Sequence, residues 1–272
     1  DAVDAGAVWV LFGSPSGLAA AGSLFLSQNT LPPGSSESTE ADDAFGRSLA
    51  ASPGGGLAIG VPGESFFLPN ETHAGLVQLV NTSGPGSPLD SASEREQNDF
   101  LGECGAFDGN ELQEFWSHSL VFGRFGPGAP SLVVAGENES FGFVNQAGRI
   151  TVMFGSTLGC FDEGMSFMNE EPEEGDLFGS ALAVGDFDAD GFEDLAVGVP
   201  GEDDESSPQF GRAGEVKVLP GSASGLQADL RNFTQFSGFP LGQEVGDVDD
   251  HFGDALATGE LVDDGFDDLA IG

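Results

Sequence analysis

Apolar and other residues alternate over short runs along this chain, as in Gly6-Ala-Val-Trp-Val-Leu-Phe-Gly13, Ala213-Gly-Glu-Val-Lys-Val-Leu219 and Asp268-Leu-Ala-Ile-Gly272. Gly, Pro, Asn and Asp separate the runs. An apolar period of two between turn residues predicts strands, about four to each repeating unit. No long segment has a period of 3.6, so few helices are expected.

The same succession of elements recurs. An aromatic-Gly step leads into a small-residue strand, then a loop, then an Asp-Leu-Ala-Val-Gly strand and a Gly-x-Val-x-Val strand. The fullest copy reads Asp176-Leu-Phe-Gly-Ser-Ala-Leu-Ala-Val-Gly185, a loop from Asp186 to Glu193, Asp194-Leu-Ala-Val-Gly-Val-Pro-Gly201, and Ala213 to Ser222. The aromatic anchors are Phe45, Trp116, Phe178 and Phe252, at intervals of 71, 62 and 74 residues. A single four-stranded unit buries one face and leaves its edges bare, whereas stacking units radially covers both faces. The run Gly179-Ser-Ala-Leu-Ala suits the innermost strand, where units crowd an axis.

Phe178-Gly179 followed by Gly198-Val-Pro200, echoed by Phe45-Gly46 with Gly60-Val-Pro62, resembles the FG-GAP repeat of integrin α-chains and of many bacterial and archaeal surface proteins. The likeness covers nearly the whole chain. It is degraded in the third copy, where Trp116-Ser117 stands for Phe-Gly and Gly136-Glu-Asn138 for Gly-Ala-Pro. The resemblance implies an all-β propeller of four-stranded blades, divided here into 1–41 (half-blade), 42–112, 113–174, 175–247 (whole blades) and 248–272 (half-blade). The two halves are complementary. Three readings follow: a segment of a larger ring, a four-bladed ring closed by pairing its own ends, or copies joined head to tail into rings or filaments.

The loop Asp186-Phe-Asp188-Ala-Asp190-Gly-Phe-Glu-Asp194 has the form D-x-D-x-D-G-x-x-D. Alternate aspartates on a curled loop present several oxygens to one hard cation at about 2.3–2.6 Å, and Gly191 permits the sharp turn. By resemblance, Asp186, Asp188, Asp190 and Asp194 ligate Ca2+ through their side chains and Phe192 through its carbonyl. A weaker second site is expected at Glu260, Asp264, Phe266 and Asp268, where Val262 replaces one ligand and Asp263 is a substitute donor. Pro53-Gly-Gly-Gly56 and Arg124-Phe-Gly-Pro-Gly128 lack side-chain donors at the matching positions.

Charge narrows the partners. Forty-six acidic residues face seven basic ones, a formal net charge of −39. Such a field repels a phosphate backbone, so neither nucleic acid nor an anionic membrane surface is expected as a partner. No apolar run is long enough to span a bilayer. Four sequons, at Asn70, Asn81, Asn138 and Asn232, point to glycosylation and an extracellular or cell-surface location. Cys104 and Cys160 leave a disulfide and two buried thiols both open, and exclude thiolate zinc at the usual ligand count.

Catalysis is not expected. The three histidines, His73, His118 and His251, belong to no HExxH, and neither G-x-S-x-G nor a phosphate loop with Lys occurs. The expected role is adhesion, with a protein or glycan ligand on the cell surface met by the connections 61–73, 137–146 and 199–213. Glycans on Asn70 and Asn138 would shield that face. Copies of the chain itself, as structural subunits of a surface layer or filament, are the alternative partner. A sugar-binding variant would use Trp9 and Trp116, both of which are expected to pack in the core.

Overall fold

A computed structural model describes residues 3–31, 40–53, 55–64, 75–82, 89–96, 117–140, 143–155, 161–203, 212–228, 231–234 and 250–272. Every regular element among them is a strand, apart from one 3-10 turn at Gln28–Thr30. Strands β1 (Val8–Ser14) and β2 (Gly17–Leu26) form a two-stranded sheet. Strands β3 (Leu49–Ala51), β4 (Leu57–Val61), β5 (Leu76–Thr82) and β6 (Leu89–Glu96) form a four-stranded antiparallel sheet in chain order. The pattern repeats in β7 (Ser119–Gly123), β8 (Ser131–Gly136), β9 (Arg149–Gly155) and β10 (Phe161–Phe167), and again in β11 (Leu182–Gly185), β12 (Asp194–Val199), β13 (Glu215–Leu219) and β14 (Arg231–Thr234). The last sheet pairs β15 (Leu256–Gly259) with β16 (Asp268–Ile271). Each sheet falls inside one of the units marked out by the sequence. The outer pairs remain separate sheets, and no ladder joins β16 to β1 among the described residues.

Within each sheet every strand pairs antiparallel with its neighbour in the chain, without crossovers, even across the longer connections 62–75, 137–148 and 200–214. The apolar residues of each sheet are buried against its neighbours. Phe178, Leu195 and Val197 of the third four-strand unit pack with Val133, Ile150 and Val152 of the preceding one. Leu132 and Val134 pack with Ala58 and Val77. Val8 and Leu26 pack with Phe45 and Ile59, and Ala196 and Val216 pack with Leu256 and Ile271. Because each core lies between successive sheets, burial fixes the stacking of the blades. The first strands β3, β7, β11 and β15 are neighbours, which explains their small residues.

The aromatic anchors work as staples. Gly6 bridges Phe45 in parallel and Gly148 bridges Phe178, each across a sheet boundary. A Cβ on Gly148 would lie 2.3 Å from the Phe178 carbonyl oxygen, so only glycine fits there. Phe178 itself is fully buried.

Register corrects the sequence alignment of the degraded copy. Gly60 pairs with Val77 and precedes the Gly63–Asp43 bond; its counterpart by register in the third copy is Ala135, not Gly136. The Gly-Ala-Pro position is therefore Ala135-Gly136-Glu137, and Ala135 packs over Gly179. Ser117 does take the glycine place, with φ of 75°. Its hydroxyl donates to the Leu76 carbonyl at 2.8 Å and accepts from Val61 N at 3.1 Å, so it bonds across the boundary. Trp9 departs from its expected core position: it is 65% exposed, edge-on to Phe25 at 5.1 Å. Trp116, His73, Asn70, Cys104 and Cys160 lie outside the described residues.

Candidate metal centre

The loop between β11 and β12 carries the densest acidic motif. Ala189 and Gly191 both have positive φ, 56° and 90°, and so curl the chain back on itself. Nothing crowds a Cβ at Gly191, so the dihedral, not space, calls for glycine. The loop's own amides then turn toward its carboxylates. Asp190 N donates to Asp186 Oδ1 at 3.1 Å and to Asp188 Oδ1 at 3.2 Å, Gly191 N to Asp186 Oδ2 at 3.0 Å, and Phe192 N to Asp190 Oδ1 at 2.8 Å. The structure brings Asp186, Asp188 and Asp190 together, with one oxygen from each lying within 4.8 Å of the others.

Asp194 stands beside this trio. It is 3% exposed at the start of β12, and accepts from Gly221 N at 2.8 Å through Oδ1 and from Phe187 N at 3.0 Å through Oδ2. Burial pushes its carboxyl above the usual range, the two amide bonds pull it down, and the charges of Asp188 and Asp186 push it up. Its position clamps the loop base. Phe192 donates its amide to Asp190 and is half-buried.

Neighbouring loops hold the centre from both sides. Asp186 N donates to Asp267 Oδ2 at 2.9 Å, and Asp267 N returns a bond to the Asp186 carbonyl at 3.1 Å. One sheet back, Glu193 N donates to the Arg124 carbonyl at 3.0 Å while Arg124 N donates to Glu193 Oε2 at 2.5 Å. The acid just before the last loop aspartate thus latches each loop to the one before. Sequence reading missed this latch, although Glu193 and Asp267 occupy the same place in their loops.

The loop between β15 and β16 has the same turn without the same convergence. Gly265 N donates to Glu260 Oε1 at 2.8 Å, Phe266 N to Asp264 Oδ1 at 3.2 Å, and Leu261 N to Asp268 Oδ2 at 2.6 Å. Asp263, with φ of 53°, takes the left-handed place of Ala189, and exposed Val262 the place of Asp188. Glu260, Asp264 and Asp268 do not gather into a three-carboxylate group. Between β3 and β4 the turn is closed by backbone alone, Gly55 N to the Ser52 carbonyl at 3.0 Å and Ser52 N to the Gly56 carbonyl at 3.1 Å.

The other expected residues are spread out. Asn138 is half-buried and accepts from Gln146 at 2.9 Å, Asn232 is exposed on β14, and Asn81 lies within β5. His118 contacts Arg47 at 3.1 Å and Glu137 at 3.2 Å, with burial, the largest cause, holding its imidazole below the usual range. His251 Nδ1 lies 3.2 Å from the Pro200 carbonyl.

Three carboxylate oxygens, each within 4.8 Å of the others, lie close enough to converge on one calcium-sized cation, whose oxygen ligands stand at about 2.3–2.6 Å. Oxygen-only donors of full negative charge suit hard cations over zinc or copper. A bound cation would offset the mutual repulsion of the loop. The residues therefore fit Ca2+.

Blades of this form, with an acidic loop between the first two strands, define a class, and residues 178–219 match the model of the FG-GAP repeat family. That stretch of the chain is thus an FG-GAP repeat. Over 111 residues the chain is 37% identical to phosphatidylinositol-glycan-specific phospholipase D of Mus musculus, which covers 39% of this chain and 13% of that protein. The Rattus norvegicus enzyme is 35% identical over 113 residues, with the same shares. The matched stretch is thus a small part of those relatives' length.

Proposed function

We propose that the chain is an extracellular, calcium-stabilised propeller module that binds a protein or glycan ligand and has no catalytic role of its own. The observation that carries this reading is the convergence of Asp186, Asp188 and Asp190 in a loop latched on both sides. Such a loop is a structural device: the ion, when bound, supplies positive charge, while Asp194, Asp267 and Glu193 hold the donors in place. Ligand contact falls to the connections between second and third strands, beginning after Val61, Gly136 and Val199. The phospholipase activity named for the relatives belongs to proteins of which the match covers 13%. It supplies a context in which such a module would serve an enzyme carried elsewhere.

Chelation provides the test. Removing Ca2+ should lower the melting temperature by several degrees, because a ligand held by the native state alone stabilises it by mass action. Asp190→Ala should abolish that shift. A melting curve indifferent to chelator would sink the reading.

Head-to-tail assembly is a second reading, supported by exposed apolar residues on β1 and β2: Trp9, Leu11, Phe12, Leu18 and Phe25. Sedimentation separates the two, since growth with concentration supports assembly and a constant monomer supports the binding module.

A further inference from the structure

Buried acid also gathers away from the metal loop, at the boundaries between sheets. At the first boundary, Asp43 lies two residues before Phe45, and Glu64 directly follows Gly60-Val-Pro-Gly63. Asp43 is 1% exposed and Glu64 fully buried. With Glu40, which is exposed, each puts one carboxylate oxygen within 4.8 Å of the others. Glu40 N caps Asp43 Oδ2 at 2.5 Å. The 3-10 turn after β2 brings in Gln28, whose amide nitrogen donates to Glu64 Oε2. Gln28 is 4% exposed, and its Oε1 has no hydrogen-bond partner.

The pattern recurs at a later boundary, where Asn169 bonds Asp176 Oδ2 at 3.1 Å and also Glu202, and Glu173 N caps Asp176 at 2.7 Å. Asp176, 1% exposed, likewise keeps an Oδ1 without a partner. Each boundary thus keeps one buried oxygen without a hydrogen-bond partner, on Gln28 at the first and on Asp176 at the later, and such an oxygen indicates something besides protein that satisfies it. The two places differ in charge. Lys217, paired to Glu215 at 2.9 Å, faces Asp176 and Glu202 at the later one, and Glu173 contributes no carboxylate there. Around Asp43 the charged groups acting on it are Glu40 and Asp42, both acidic.

We propose that Glu40, Asp43, Glu64 and the Gln28 side-chain carbonyl form a binding site for a hard divalent cation of calcium or manganese size, tying the β1–β2 sheet to the β3–β6 sheet. Two observations converge on this. The three carboxylates each bring one oxygen within 4.8 Å of the others, close enough to share one cation, and a half-turn of the Gln28 amide replaces its donor by the orphaned oxygen, completing four oxygen ligands that join the end of β2 to the connections around β3 and β4. The later site, with two carboxylates and an ammonium beside them, holds a proton instead. This inference stands apart from the metal loop, and its failure leaves that loop's role untouched.

The test uses the full chain with Asp188→Asn, Asp190→Asn and Asp264→Asn, which disables both loops between first and second strands. Calorimetric titration with CaCl2, and with MnCl2 followed by electron paramagnetic resonance, should find one remaining site per chain. Adding Glu64→Gln should weaken it more than tenfold, whereas adding Glu202→Gln should leave it unchanged. Glu40→Gln, at an exposed position, should weaken it several-fold and keeps the test open should Glu64→Gln fail to fold. No binding by the loop-disabled chain, or binding undiminished by Glu64→Gln or Glu40→Gln, would overturn the proposal.

Discussion

Replacing Glu202 by glutamine tests how the sheets are joined. Burial, followed by the charges of Asp176 and Glu215, raises the Glu202 carboxyl from 4.5 to about 8, against the opposing pull of Lys217 and the Asn169 bond. The folded chain therefore keeps this proton from pH 4.5 to about 8, where the unfolded chain has already released it. Stability from this group falls as pH rises through that window and levels off above it. At 1.36 kcal/mol per unit, the ceiling is roughly 5 kcal/mol. Glu202 is only half-buried and its titration is tied to the nearby charge of Asp176, so solvent screening brings the expected effect to about 2–3 kcal/mol. Glutamine copies the protonated form. Urea unfolding followed by circular dichroism, with Ca2+ held constant, should show Glu202→Gln matching the parent near pH 5 and exceeding it by about 2–3 kcal/mol at pH 9. The general repulsion of a −39 chain acts on both proteins alike, so the difference isolates the joint. A variant less stable than the parent at pH 9, or a difference that does not change with pH, would refute the reasoning.

Two other substitutions probe the same architecture. Asp267→Ala removes the acceptor that holds Asp186 N and should weaken Ca2+ binding at the Asp186 loop about three- to tenfold by calorimetry, without altering any carboxylate of that loop itself. Gly60→Ala would place a Cβ 2.4 Å from the Ser117 carbonyl oxygen and should cost about 1–3 kcal/mol in urea unfolding, through forced separation of two sheets.

Strand positions were legible because their signal is local. Alternation and turn glycines mark Leu182–Gly185 and Asp194–Val199 without help from the rest of the chain. The Asp186 loop was legible for the same reason, since its three converging aspartates lie within five residues. The boundary clusters were not, because Gln28 and Asp43 stand at opposite ends of the β2–β3 connection, Glu64 belongs to the β4–β5 connection, and the three meet only when sheets stack. Their trace was an acid two residues before the aromatic anchor, at Asp43, Asp176 and Asp250, and a glutamate after Gly-Val-Pro-Gly. The slip at Gly136 had a related cause: matching glycine to glycine favoured residue identity, whereas pairing of Leu120 with Val134 sets the true register. Trp9 misled because an aromatic within a strand ordinarily packs inward, and here its sheet has only two strands.

The glycine contacts between sheets have a consequence for how such chains diverge. Gly60 meets Ser117, Ala135 meets Gly179, and Gly198 meets Gly253, and in no couple do both members bear a side chain. The first two points hold one small side chain each, whereas at the third a Cβ on Gly198 would lie 2.0 Å from the Gly253 carbonyl oxygen and one on Gly253 2.7 Å from that of Glu215, so it holds none. Mutational drift at the first two is therefore correlated: enlarging either member is tolerated only beside a bare glycine, and a transplanted blade succeeds when its flanking residues obey the same size rule.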